Sequence, residues 1–159
     1  MEMLGLALAV GGAALAAGLS GAGSAIGCGL VGQAGAGVTS EDPEKFGKLL
    51  ILQVIPGTQG IYGFLAMFWV MMKVGLLGTI IELTPYQGAA LFCACLPMMT
   101  GNPISAVWQG KAAASGVGLV AKRPEEMGKA MIFAVIVETY AVLSLLTTIL
   151  LVNSIPVGK

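Results

Sequence analysis

The chain has no histidine, and only 10% of its residues are charged. Soluble domains carry about 25% Asp, Glu, Lys and Arg, so this composition excludes one. Lys+Arg and Asp+Glu each total 8, giving zero net charge. With no basic excess, no nucleic-acid partner is expected. The three cysteines, Cys28, Cys93 and Cys95, lie in apolar stretches without paired-ligand spacing. They read as small packing residues rather than disulfide partners or metal ligands. There is also no GxxxxGK sequence followed by Ser or Thr. The chain therefore lacks the phosphate-cradling loop with which such a protein would hydrolyse a nucleotide itself.

What it has is hydrophobic sequence, at 57% of the residues, with a mean hydropathy of +0.91 and 24 glycines. Glycine in apolar sequence points to helices packed backbone to backbone in lipid. Four segments reach the roughly 20 residues needed to span a bilayer. They cover about 4–38, 46–77, 85–120 and 124–152, so the expected fold is an all-α membrane protein of four transmembrane helices. The first is not read as a secretory signal, because Glu2 makes its leading end acidic and the apolar stretch runs too long. TSEDPEK (39–45), GLLGTIIELTP (75–85) and AKRPEE (121–126) form the breaks. Lys45, Lys48, Lys122, Arg123 and Lys129 flank the first and third breaks, whereas Lys73 and Lys159 lie near the other side. The positive-inside rule then places loops 39–45 and 121–126 in the cytoplasm and both termini outside.

The two halves repeat each other. A shift of 81 residues sets DPEKFGKLLILQVIPGTQGIYGFL on RPEEMGKAMIFAVIVETYAVLSLL, matching Pro43 with Pro124, Gly47 with Gly128, Lys48 with Lys129 and Thr58 with Thr139. Further upstream, Ser24 meets Ser105 and Gly29 meets Gly110. The expected organisation is a fused pair of parallel-repeat hairpins, 1–80 and 81–159. One position differs in kind: Glu138 in the second hairpin faces Gly57 in the first.

Glu138 is the carboxylate of an otherwise apolar run, 14 residues from each end of 124–152, or about 21 Å at helical rise. A charge there costs about 2.5–3.5 kcal/mol on insertion scales, so it implies a partner or a task. Several groups could serve it. In IPGTQGIYG (55–63), Pro56 has no N–H and frees the carbonyl of Leu52, and Thr58, Gln59 and Tyr62 follow nearby. Gln109 lies in the third helix and Thr139 directly after Glu138. Gln109 could equally make only an interhelical hydrogen bond. Carboxylate, amide, hydroxyl and carbonyl oxygens are hard ligands, suited to a hard cation and most simply Na⁺; a bare proton would need the carboxyl group alone. Lys111 could pair with Glu138, but is expected to snorkel to the cytoplasmic end. The first helix has small residues at every fourth position, from Gly12 through Ala16, Ser20, Ser24, Cys28 and Gly32 to Ala36. A second row, Ala17, Gly21, Ala25 and Gly29, runs beside it, as for a helix crowded on both sides inside a ring.

Together, the Gly-rich first helix, IPGTQGIYG, WQGKAAASG (108–116) and IVETYAV resemble the membrane rotor-ring proteolipids of rotary ATPases. Within these, the chain is most similar to the duplicated four-helix K (or c) subunit of the bacterial, sodium-transporting V-type. The resemblance spans essentially the whole chain. It implies a homo-oligomeric ring in lipid, turning against a stator subunit with an essential Arg. It implies a central stalk docked on loops 39–45 and 121–126, and ATP hydrolysis on partner subunits. Na⁺ would be held by Glu138, Gln109, Gln59, Thr58 and the backbone carbonyl of Ile55, with Tyr62 hydrogen-bonding the carboxylate and closing the site. On this point the resemblance favours Ile55 over Leu52. H⁺ is the alternative ion. Two other readings compete: a small proton-coupled multidrug-type transporter using Glu138, and a purely structural pore subunit. The first needs an aromatic-lined cavity, against an aromatic content of 6%.

Overall fold

The computed structural model describes residues 2–158, so Lys159, counted above for orientation, lies outside them. Helix α1 (Glu2–Glu41) is continuous. A short 3-10 turn leads into α2 (Phe46–Val54), which a second 3-10 turn (Ile55–Gly57) joins to α3 (Thr58–Lys73). Beyond a loop come α4 (Pro85–Ala94) and α5 (Leu96–Lys122), then α6 (Met127–Ser154) after a third 3-10 turn. These make four helical spans, Met3–Glu41, Pro43–Lys73, Pro85–Lys122 and Pro124–Ser154, all apolar enough to cross a membrane. The second ends at Lys73, short of the expected boundary at Leu77. Just beyond it Gly75 takes φ +72°, and a side chain there would strike the carbonyl of Thr79.

The connections follow ordinary capping chemistry. Asp42 accepts from the N–H of Glu44 and pairs with Lys45 at 3.0 Å, which holds its carboxyl below the usual carboxylate range. Thr84 and Gln87 form a capping box at the start of α4. The Gln87 amide also ties the C-terminal segment down, through the carbonyl of Pro156 at 2.9 Å.

The spans form two layers, with α1 against α5 and, outside them, α2–α3 and α6. Small residues set the first contact. A Cβ on Gly110 would lie 2.4 Å from the Cα of Gly27, and one on Gly23 would lie 2.6 Å from the Cα of Pro103. The helices therefore meet backbone to backbone. Two apolar clusters fill the bundle. One, around Ala16, Val70, Leu91 and Met98, lies towards the 73–85 loop; the other, around Val31, Leu52, Val117 and Ala134, lies towards the 41–43 and 122–124 connections. Between them is a layer of buried polar side chains: Ser24, Gln59, Asn102, Ser105 and Gln109. Outward-facing Phe133, Ile136, Leu143, Leu146 and Leu150 on α6 remain exposed, as befits a surface that meets lipid or another chain.

Candidate ion-binding site

Pro56 shapes the site. Lacking an N–H, it interrupts the second span as a 3-10 turn, and α3 begins at Thr58. The carbonyl of Ile55 accepts both the N–H and the hydroxyl of Thr58, the latter at 3.0 Å. The Ile55 carbonyl is thus set beside the Thr58 hydroxyl at the start of α3. A helix that starts inside the bundle leaves N–H groups without intrahelical partners. Ser24 of α1 takes one, accepting from Gly60 N–H at 2.7 Å.

From Thr58 a continuous chain of polar contacts leads to Glu138. The Thr58 hydroxyl lies 3.3 Å from Gln59 Oε1, and Gln59 Nε2 donates to Gln109 Oε1. Gln109 Nε2 donates to the carbonyl of Ala134 at 3.2 Å and to Glu138 Oε2 at 3.4 Å. The other carboxylate oxygen, Oε1, accepts from the Tyr62 hydroxyl at 2.7 Å. Both glutamines are fully buried, whereas Glu138 is half-buried. Three spans therefore contribute. The structure brings together Ile55, Thr58, Gln59, Tyr62, Gln109 and Glu138, all six positions singled out from sequence.

Two nearby residues take no part in these contacts. Thr139 turns back to its own helix, donating to the carbonyl of Ile136 at 2.8 Å, and stays outside the chain of contacts. Lys111 makes no ion pair with Glu138. Its ammonium lies 4.1 Å from the centre of the Trp108 ring, instead of reaching to the 121–126 connection.

Sequence reasoning passed over the residues that brace the site from behind. Asn102 of α5 donates to the carbonyl of Gln59 at 2.8 Å, and Ser105 donates to the carbonyl of Val137 at 2.8 Å. The signal for Asn102 was available, since a side-chain amide in an apolar helix needs partners wherever it occurs. Ser24 and Ser105 are matched repeat positions, and both serve the backbone of an outer helix at the level of the carboxylate.

Beside Glu138 a cavity of about 520 Å³ opens to the surface, lined by Tyr62, Val135, Glu138, Thr139, Val142 and Leu143. Tyr62 is its only aromatic wall, so it lacks the aromatic lining that an organic-cation transporter needs. The arrangement can do something simpler. A carboxylate with two buried amides and a hydroxyl can exchange its hydrogen bonds for oxygen contacts to a small hard cation. Neutralised, it can then face an apolar surface.

Comparison with known proteins identifies the chain's relatives. The sequence model of one family, the ATP synthase C subunit, matches the chain twice, over residues 11–70 and 92–151. The two matches start 81 residues apart, the shift read from the internal repeat. The V-type sodium ATPase subunit K of Enterococcus hirae is 43% identical over 148 residues, which is 93% of this chain and 92% of that protein. The A-type ATP synthase subunit K of Methanocaldococcus jannaschii is 42% identical over 154 residues, 97% of this chain and 66% of that protein. With four membrane-crossing helices, a doubled family match and a relative alike over nearly its full length, this multi-pass membrane chain belongs to the ATP synthase C-subunit family.

Proposed function

We propose that this chain is a rotor-ring subunit that binds Na⁺ at Glu138 and carries it across the cell membrane as the ring turns. The observation that carries the reading is the unbroken polar path from the Ile55 carbonyl to the two oxygens of Glu138. It supplies oxygens from Ile55, Thr58, Gln59, Gln109 and Glu138, more than a bare proton needs. A half-turn of each Gln amide about its last bond exchanges nitrogen for oxygen. The amides that now hydrogen-bond can thereby become ligands. The Tyr62 hydroxyl keeps one carboxylate oxygen pinned, so it orients Glu138 and closes the site on the lipid side. The similarity to a sodium ATPase subunit K supports the choice of ion, with H⁺ as the alternative.

The charge state of Glu138 sets the direction of events. Occupied, the carboxylate is neutralised and passes lipid cheaply; empty and charged, it does not. Sites therefore travel loaded and discharge only beside a compensating positive charge, the essential Arg of a stator subunit. Moving one charge against 100 mV costs about 2.3 kcal/mol, which ATP hydrolysis on partner subunits supplies. In this reading, loops 39–45 and 121–126 lie in the cytoplasm and carry the central stalk, while the termini lie outside.

Replacing Glu138 by Gln in the assembled complex tests the proposal. ATP-driven ²²Na⁺ uptake into vesicles should be abolished while the ring still assembles. Uptake unchanged by the substitution would leave Glu138 as a packing residue and sink the reading.

A further inference from the structure

Helix α3 begins inside the bundle, and its peptide between Gln59 and Gly60 is held at both ends by side chains of other helices. Ser24 of α1 accepts from the Gly60 N–H at 2.7 Å, and Asn102 of α5 donates to the Gln59 carbonyl at 2.8 Å. Gly60 makes room for the first contact, since a Cβ there would lie 3.3 Å from the Ser24 hydroxyl oxygen.

Asn102 makes its contact at a cost. It is fully buried, and its Oδ1 has no hydrogen-bond partner. An unpaired buried acceptor is destabilising, whereas a leucine of the same branching would carry no such penalty. Turning the amide over would not help, because its oxygen would then face the carbonyl oxygen of Gln59. What the residue contributes is therefore the bond from its nitrogen to Gln59.

The internal repeat separates this bond from ordinary packing. Ser24 and Ser105 are matched positions, and each bonds the backbone of an outer helix. Asn102 is not matched, since its counterpart is Gly21. The counterpart of the 59–60 peptide joins Tyr140 to Ala141, and the Tyr140 carbonyl accepts from Ser144 of its own helix instead. The hold by a second helix thus falls on the peptide that carries Gln59, and its repeat has none.

We infer that Asn102 is a positioning residue that sets the ion preference of the site through Gln59. This rests on the reading of Glu138 as a Na⁺ site. With both ends of its peptide tied, the first turn of α3 resists rotation, and the Gln59 backbone is fixed. The Gln59 side chain is fully buried against Gln109, so the place of its amide oxygen follows from that backbone. Ligands held to within about 0.5 Å discriminate between ions by size, whereas ligands free to shift accommodate several. Asn102 bonds Gln59 and not Glu138, so it acts on the ion and leaves the proton affinity of the carboxyl group alone.

The test is protection of Glu138 from dicyclohexylcarbodiimide by Na⁺ and by Li⁺ in the membrane-bound complex. Asn102→Leu should raise the Na⁺ concentration for half-protection about fivefold, the worth of one amide hydrogen bond. The concentration for Li⁺ should rise less, so that the two ions are told apart less well. The pH of half-maximal labelling without either ion should stay where it is in the unsubstituted chain. Thr148→Val is the comparison. It removes the other buried side-chain oxygen without a partner, elsewhere on α6, and should leave protection by both ions unchanged. If Asn102→Leu does not assemble, Asn102→Ala removes the same donor and reads the same quantities. An unchanged ratio of the Na⁺ and Li⁺ concentrations would overturn the inference while leaving the Na⁺ site standing. So would a shifted labelling pH with both ions weakened alike, which would make Asn102 a packing residue. Protection of the unsubstituted chain by neither ion would overturn the Na⁺ reading itself.

Discussion

Replacing Gln109 by Leu examines the site most searchingly, because its amide is fully buried and holds three partners at once. Leu has nearly the same volume, so packing is kept while the polar contacts go. The long contact to Glu138, 3.4 Å, contributes little to stability. The larger loss comes from Gln59, whose buried Nε2 would have no acceptor, at about 1–3 kcal/mol. The expected destabilisation is therefore about 2 kcal/mol, dominated by the orphaned partner. It follows that Gln59→Leu with Gln109→Leu should cost less than the two single changes added together, by roughly 1–2 kcal/mol. Thermal unfolding of the detergent-solubilised protein measures all four species of the cycle. Na⁺ affinity gives an independent readout, since each substitution removes one oxygen; it should fall in both singles and further in the double. A cycle that is additive within about 0.5 kcal/mol would refute the coupling of the two amides. Unchanged Na⁺ affinity in all three variants would refute their role as ligands.

Further outcomes follow from individual contacts. Tyr62→Phe keeps the ring but removes the hydroxyl that donates to Glu138 at 2.7 Å. A charge-assisted bond of this kind is worth about 1.5–3 kcal/mol, so Na⁺ binding measured with ²²Na⁺ should weaken about tenfold or more. Gly110→Ala places a methyl group 2.4 Å from the Cα of Gly27. Thermal unfolding should show a loss of about 1–3 kcal/mol, as overpacking forces α1 and α5 apart. Lys111→Met removes an ammonium that touches Trp108 and not Glu138. The Na⁺ dependence of ATP hydrolysis by the complex should be unchanged, whereas a shift would place Lys111 in the site's electrostatics.

The spans were legible because a membrane leaves few alternatives: apolar stretches of sufficient length, broken by Pro, Gly and charge, become helices. The end of the second span was less so, since the apolar run continues through Leu76 and Leu77 after the helix stops. What stops it is backbone geometry at Gly75, which hydropathy does not register. The site was legible for a related reason. Glu138, Gln59 and Gln109 are costly in lipid, so each signals that it has partners. Thr139 misled because adjacency along a helix is not adjacency in space; it points about 100° away from Glu138. Pro56 showed where the second span would loosen, but not that a 3-10 turn would set the Ile55 carbonyl against the Thr58 hydroxyl. Asn102 could have been read by the same rule as the glutamines, but the partners of Asn102 and Ser105 are backbone carbonyls, which sequence does not point to.

The central claim is that Glu138 is a Na⁺-binding carboxylate, and dicyclohexylcarbodiimide tests it directly by modifying membrane carboxyl groups in their protonated form. At fixed pH, millimolar Na⁺ should slow the labelling of Glu138, and the protection should weaken in Gln109→Leu. Labelling at the same rate with and without Na⁺ would contradict the account and assign the site to H⁺.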